Sequence, residues 1–534
     1  MNGLAYKWVV AIVIIFGIFM SILDTTIVNI AIPRLQAAFG ANLADVQWVS
    51  TGYTLAQGVA TPLTPFFSSR LGLKRFYLIV LALFTLGSAL CGLAWSLPVL
   101  IAFRLIQGAG GACLLPLSIT LLYREFPPEE RGTALGALGV PILLAPALGP
   151  TVGGYIVTYF GWPLIFYINL PIGILGFVLG FILLRNFPAE GNVRFDIAGF
   201  IFSSAGLGAI LYGLSDVSTD GWSSSKVISF LVGGLIALII FVIVELAIVE
   251  RGGRPLMDLR LFKNQPFATG NIANVMVTFA LFGGLFLVPI YLQNLRGQDA
   301  FQSGLILLPQ ALGSMVAVLI GGRLVDKIGV KAVVLPGLAL LAFALWRFSF
   351  VTLQTPFMEF QVLLILRGFS LGLALQPLTV AVLAEIKPAQ LAQGTTINSV
   401  IRNISSSLGV AVLSTLVQTR TTFHYVRLAE QVTAGTPAAQ LLQQFTAYFI
   451  GRGLSPINAR FASISVMAGQ LRRLAYMLAI DDAFLFSFGI TILAMITVVI
   501  IRVRSSNKKA ADQSEGQQKQ ESTPEESPVA ILEM

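Results

Sequence analysis

The chain has 534 residues, of which 56% are hydrophobic and 11% charged, with a mean hydropathy of +0.83 and a formal net charge of +9. A soluble domain carries about 25% charged residues, so this composition leaves a polytopic membrane protein. The positive charge does not mark a nucleic-acid partner, because the basic residues fall in short connections at alternate ends of apolar runs.

About 20 apolar residues cross about 30 Å of hydrocarbon at about 1.5 Å per residue. Runs of that length begin near Trp8, Val46, Phe76, Pro98, Thr133, Pro163, Phe195, Lys226, Pro266, Gln302, Val330, Phe357, Gly394 and Ala483, predicting about fourteen spans. The first run is too long for a cleaved signal peptide and no small-residue cleavage site closes it, so it counts as a span. Lys7, Arg70 with Lys74 and Arg75, Arg124 with Arg131, Arg185 with Arg194, the Arg251 to Lys263 loop, Lys327 with Lys331, Lys387 and the tail after Arg502 fall on one side. The opposite connections hold scattered residues such as Arg34, Lys226 and Arg296. An excess of Lys and Arg marks the cytoplasmic side, and an even number of spans then predicts both termini there, in a cytoplasmic (inner or plasma) membrane. Cys91 and Cys113 lie inside apolar runs and read as space-filling thiols. His424, the single histidine, has no Cys or carboxylate at ligand spacing, so no metal is expected.

Two pairs of stretches recur in order. RLGLK (Arg70–Lys74) and DKIGVK (Asp326–Lys331) each place Gly two residues before Lys in a tight turn; FRLIQGAGGACLLP from Phe103 and LRGFSLGLALQP from Leu366 each place Arg early and Pro late. Such a repeat implies a duplicated six-helix unit with a binding site between the copies. The fold class expected is therefore all-α: residues 1–190 a six-helix bundle, 191–265 an inserted transmembrane hairpin and linker, 266–504 a second six-helix bundle, and 505–534 a disordered cytoplasmic tail. Asp216 and Asp220 mark the outer turn of the hairpin. A long outer loop, 420–482, contains Phe461, Ile464, Ala468, Leu471, Leu474, Ala475 and Leu478 at helical spacing, which reads as an amphipathic helix at the outer surface or against the bundle, or as a solvated loop helix with no partner.

LDTTIVNIAIP (Leu23–Pro33), RLIQGAGGACLLP, APALGPTVGGY (Ala145–Tyr155) and GWPLIFYINLPIG (Gly161–Gly173) together resemble the major facilitator superfamily, and within it the fourteen-span drug:proton antiporters of the EmrB/QacA type. The resemblance spans nearly the whole chain apart from the tail and most of the outer loop. It implies two bundles that alternate access, proton-driven multidrug efflux, no ATP and no enzymatic activity; no GxxxxGK phosphate loop is present. Small hydrophobic or cationic substrates, protons and the lipid bilayer are the partners it implies, with a periplasmic adaptor at the outer loop left open. No cofactor is expected, the proton gradient being the energy source. The family pattern usually carries an aspartate at the position of Ser69, which puts the first of the two loop locks in doubt, and Trp162, Pro163 and Leu164 stand where many relatives have WRW.

Depth arithmetic stands apart from the family. Asp24 is sixteen steps, roughly 24 Å, along the first span from Trp8, and Arg104 is six steps, roughly 9 Å, along the fourth from Pro98. Running in opposite directions through a core of about 30 Å, they reach the same level. A charge at that depth faces protein or a watery path, so Asp24 and Arg104 are the expected proton-coupling pair, Asp24 holding the proton and, when ionised, attracting a cation. The plain alternative is an ion pair that fixes packing. Arg70, Gly72, Lys74, Asp326, Gly329 and Lys331 are expected to form cytoplasmic gate loops. Pro146, Gly149, Pro150, Gly153 and Gly154 are expected to bend the fifth span and admit a neighbour closely. Candidates for the substrate cavity are Asn29, Gln57, Gln107, Asn271, Asn274, Gln310, Gln376, Asn398 and Arg402. Proton-coupled export of a physiological lipid, fatty acid or metabolite would use the same machinery.

Overall fold

The computed structural model describes residues 5–189, 194–432 and 436–500; the expected disordered tail lies outside them. Fourteen long helices follow in chain order: α1 (Tyr6–Phe39), α2 (Leu43–Ala60, continued by Thr64–Leu71), α3 (Leu73–Gly92), α4 (Leu97–Glu125), α5 (Arg131–Tyr159), α6 (Asn169–Leu183), α7 (Ile197–Asp220), α8 (Ser225–Glu250), α9 (Gln265–Ile290), α10 (Ala300–Ile328), α11 (Val330–Phe348), α12 (Phe357–Leu383), α13 (Leu391–Glu430) and α14 (Pro456–Ile500). In hydrocarbon every backbone donor and acceptor must bond within the segment, which is why apolar runs of this length become helices. Thirteen stretches among the described residues are long and apolar enough to cross a membrane, and α2 is the helix left out. Its Ser50, Thr51, Tyr53, Thr54 and Gln57 face an internal cavity, which lowers its hydropathy without exposing them to lipid.

One face of the molecule gathers the basic helix ends. There Lys7 pairs with Glu130, the Arg185 amide donates to Tyr6, and Lys331 donates to the Val499 carbonyl. Two of the turns on this face need glycine, since Gly72 and Gly329 have φ of +80° and +85°, a region open to residues without a Cβ.

Helix α1 packs on α4, α5 and α6, and α2 on α4; later in the chain α9 packs on α13 and α14, and α10 on α12. Between these groups α5 runs against α10 in the most extensive helix contact of the molecule. On the other side, where α2 would meet α13, α7 is wedged between them. The hairpin is fastened there by the Trp222 indole, which donates to Thr415 at 3.0 Å, and by Ser204, which donates to the Val59 carbonyl at 3.4 Å. Its turn holds Lys226 against Asp216 at 2.5 Å and Asp220 at 3.5 Å. The linker that follows is tied to α13 by Gln390, which donates to Asp258 at 3.1 Å; the Arg260 guanidinium holds that carboxyl below the usual range.

The outer loop departs from expectation. The amphipathic helix is not a separate surface element: α14 is continuous from Pro456 to Ile500, and α13 likewise runs unbroken to Glu430. Its buried stripe is Ala459, Ser463, Met467 and Ala475, whereas Phe461, Ile464 and Leu474 of the expected apolar face are exposed. Small residues let the helix approach α13 and the short helix Pro437–Gly451, and the larger ones are turned outward by that approach. His424 meets a carboxylate that spacing in sequence could not reveal, Asp482 at 2.7 Å, which also accepts from Arg420 at 2.8 Å.

Candidate functional site

Asp24 and Arg104 are fully buried and bonded, with Arg104 Nη1 donating to Asp24 Oδ2 at 2.5 Å. Helix α1 brings the carboxylate from the basic face and α4 brings the guanidinium from the other, as the depth arithmetic requires. The second carboxylate oxygen accepts from Gln107 Nε2 at 2.9 Å and Asn169 Nδ2 at 3.0 Å. Arg104 also donates to the Val49 carbonyl at 3.0 Å and to Gln107 Oε1 at 2.7 Å, and its guanidinium lies 4.0 Å from the Tyr53 ring centroid. Asn169 is steered in turn by Ser88, whose hydroxyl accepts from it at 3.0 Å and donates to the Phe166 carbonyl. A buried ion pair is tolerable only with its remaining lone pairs and protons satisfied, and this network nearly achieves that. Two atoms do not join it: Arg104 Nη2 and Asn169 Oδ1 are buried without a partner. Sequence reasoning quoted Asn169 inside the IFYINLPIG stretch and gave it no task; a lone amide in an apolar run was the available signal. Tyr53 and Ser88 were missed outright.

A cavity of about 590 Å³ opens beside this network. Its walls come from the middle of α1, α2, α4, α5 and α12 and from the parts of α7, α9, α10 and α13 remote from the basic face. That size suits one drug-sized molecule. Asn29, Gln57, Gln310 and Arg402 line it as expected, joined by Leu211 and Leu214 of the hairpin, which sequence reading treated only as an insertion. Tyr53 lines it too, so this ring stands where the cavity meets the Asp24 network.

Five expected cavity residues do not line it: Gln107, Asn271, Asn274, Gln376 and Asn398 are buried elsewhere. Gln107 belongs to the Asp24 network, Asn398 donates to Asn271 at 3.0 Å, and Gln376 packs beside Gly139. Depth along a helix is readable from sequence, but which way a side chain points around it is not, and polar groups at membrane depth often serve helix contacts instead.

Helix α5, continuous through Pro141, Pro146 and Pro150, uses its glycines as close contacts. A Cβ at Gly149 would run into the Thr26 hydroxyl of α1, and one at Gly153 would lie 2.7 Å from Ile27. Gly154 faces α10, with Phe301 at 3.5 Å. Pro146 lines the cavity, while Pro150 sits inside the same helix one residue beyond Gly149.

On the basic face the gate residues behave unequally. Asp326 of α10 reaches across to the start of α5, accepting from the Gly132 and Thr133 amides at 2.8 Å each and from the Thr133 hydroxyl at 2.6 Å. A carboxylate on the first amides of a helix also meets the positive end of its dipole. Among the described residues nothing equivalent crosses from the first of the two turns: Lys74 donates to the Phe181 carbonyl, Arg70 lies over Phe66, and Ser69, where the family has aspartate, turns back to the Phe66 carbonyl. Thr120 and Thr395 add a 2.9 Å hydroxyl pair between α4 and α13. Asp326→Ala removes three bonds to an ionised acceptor, so it is expected to open this face. An introduced cysteine at Thr395 should then react at least about tenfold faster with an impermeant maleimide than in the Asp326 background.

Comparison with known proteins agrees with this architecture. Residues 14–410 match the Major Facilitator Superfamily profile. The chain is 36% identical over 427 residues to the uncharacterized MFS-type transporter YhcA of Bacillus subtilis (strain 168), covering 80% of this chain and 79% of the relative. It is 35% identical over 401 residues to a multidrug resistance protein B homolog of Mycobacterium tuberculosis, covering 74% of each. The crystal structure of the human organic anion transporter MFSD10 (TETRAN) superposes with a TM-score of 0.60 over 93% of this chain and 100% of its own, at 14% identity, a likeness of fold alone. With its helices, its repeated turns and these relatives in agreement, the chain belongs to the major facilitator superfamily.

Proposed function

We propose that this transporter exports hydrophobic, drug-sized compounds in exchange for protons, with Asp24 as the proton-binding group and the basic face toward the cytoplasm. The observation that carries the reading is the Asp24–Arg104 pair, a charged network buried at membrane depth one ring away from a cavity of cargo size. The Asp326 bonds across the basic face and a cavity remote from that face support reading this conformation as the outward-facing half of an alternating-access cycle. Protonation of Asp24 removes the charge that holds Arg104, freeing α1 and α4 to shift against each other; return of the pair resets them. Drug export is supported by the name of the mycobacterial relative.

The test is transport by purified protein in vesicles under an imposed pH difference. A hydrophobic dye should move uphill, opposite to proton flow, and a protonophore should stop it. Uphill movement that survives collapse of the pH difference would overturn the reading.

A further inference from the structure

The cavity has one charged wall residue, and it is a cation. Arg402 lines it from α13, and among the described residues no carboxylate lines it and none pairs with that guanidinium. Among the described residues it also has no protein hydrogen-bond partner, whereas Arg104 is engaged by Asp24, and Arg367 by Gln310 Oε1 at 3.0 Å and the Leu281 carbonyl at 2.9 Å. An unpaired guanidinium in a partly dry site is costly unless something completes it.

A second feature adds positive potential to the same half. Arg367 is the repeat counterpart of Arg104, yet the residue that packs against its guanidinium is Gly284 of α9, and among the described residues no acid pairs with it. Gln310 lines the cavity with its amide oxygen taken by Arg367, which leaves its NH₂ as a donor for a ligand. The wall beside Arg402 on α13 is polar, with Ser399, Asn403, Ser406 and Ser407, and α9 adds the apolar side chains Leu281, Phe282, Leu285 and Phe286.

We infer that the cargo is an amphipathic anion, a hydrophobic body bearing a carboxylate or similar group, whose charge is received by Arg402. This rests on the exporter reading for the cavity's being the cargo site, and it changes the expected charge of the cargo: Asp24 is already matched by Arg104, so the cavity presents no charged partner to a cation and an open guanidinium to an anion. Arginine's planar fork suits a carboxylate through two parallel bonds, which a neutral or cationic analogue of the same shape forgoes.

The experiment measures equilibrium binding to the purified full chain in nanodiscs, using naphthylacetate as anion, naphthylacetamide as its neutral analogue and naphthylmethyl-trimethylammonium as cation. Naphthylacetate should bind about tenfold tighter than either analogue, and Arg402→Gln should bring it within about twofold of the amide, while Arg402→Lys keeps part of the preference. Equal or tighter binding of the amide or the cation overturns the inference, as does an anion preference that survives in Arg402→Gln. Should that variant not fold, the wild-type ranking decides alone. A separate arm follows the three probes in vesicles under a pH difference: failure of every probe to move overturns proton-driven export and leaves the binding ranking standing.

Discussion

Asp24→Asn is expected to reduce pH-driven transport to the level of empty vesicles while the protein remains folded in the membrane. Asparagine has the size of the protonated acid and keeps an acceptor for Arg104, so it imitates one state of the cycle permanently. If that state is visited in every turnover, the fold must tolerate it. Exchange of labelled for unlabelled cargo without a pH difference needs no proton movement and should persist in the variant. Arg104→Ala makes the useful contrast, because it strands a buried carboxylate and removes the stacking on Tyr53; a loss of about 3–5 kcal/mol is the scale for breaking a buried pair from one side. A melting curve separates the two substitutions. Full pH-driven transport by Asp24→Asn would reduce the pair to a packing device.

Gly149→Ala is expected to abolish most transport through a single methyl group. That methyl would collide with the hydroxyl and Cβ of Thr26, two residues from Asp24 on the same helix. Overpacking of this kind costs about 1–3 kcal/mol, and pushing α1 and α5 apart here disturbs the helix that carries Asp24. The compensating change Thr26→Gly vacates the contested space, so Gly149→Ala with Thr26→Gly should recover much of the activity. Gly154→Ala meets Phe301 at an ordinary 3.5 Å and should be tolerated. Vesicle transport and proton leak measured on the four proteins check this order; unchanged transport in Gly149→Ala would show that the α1–α5 contact has slack.

The spans were legible because an apolar run of about 20 residues has few alternatives to a helix in lipid. Asp24 opposite Arg104 was legible for a similar reason, since rise per residue converts sequence distance to depth. The rotation of a side chain about its helix axis has no such reading in long, apolar, weakly amphipathic helices. Hence Asn398 and Asn271 turned out to bond each other, and Asn169, quoted for its motif, turned out to hold the carboxylate. The hairpin's share in the cavity was hidden by its position in sequence, outside both repeats. The outer loop was hidden differently: the polarity of Arg420 to Asp482 reads as a break in two spans, but polarity reports contact with water and not the end of a helix.

That last feature has mechanical meaning. Helix α13 has 40 residues, about 60 Å of continuous rod, of which roughly half stands clear of the bilayer. A stiff arm about 30 Å long that tilts by about 10° with its bundle sweeps its tip through about 5 Å. The protein thus carries its own pointer: on the proposed cycle, a fluorophore pair spanning that tip and the hairpin turn at Gly221 registers each swing of the halves in real time without touching the cargo route.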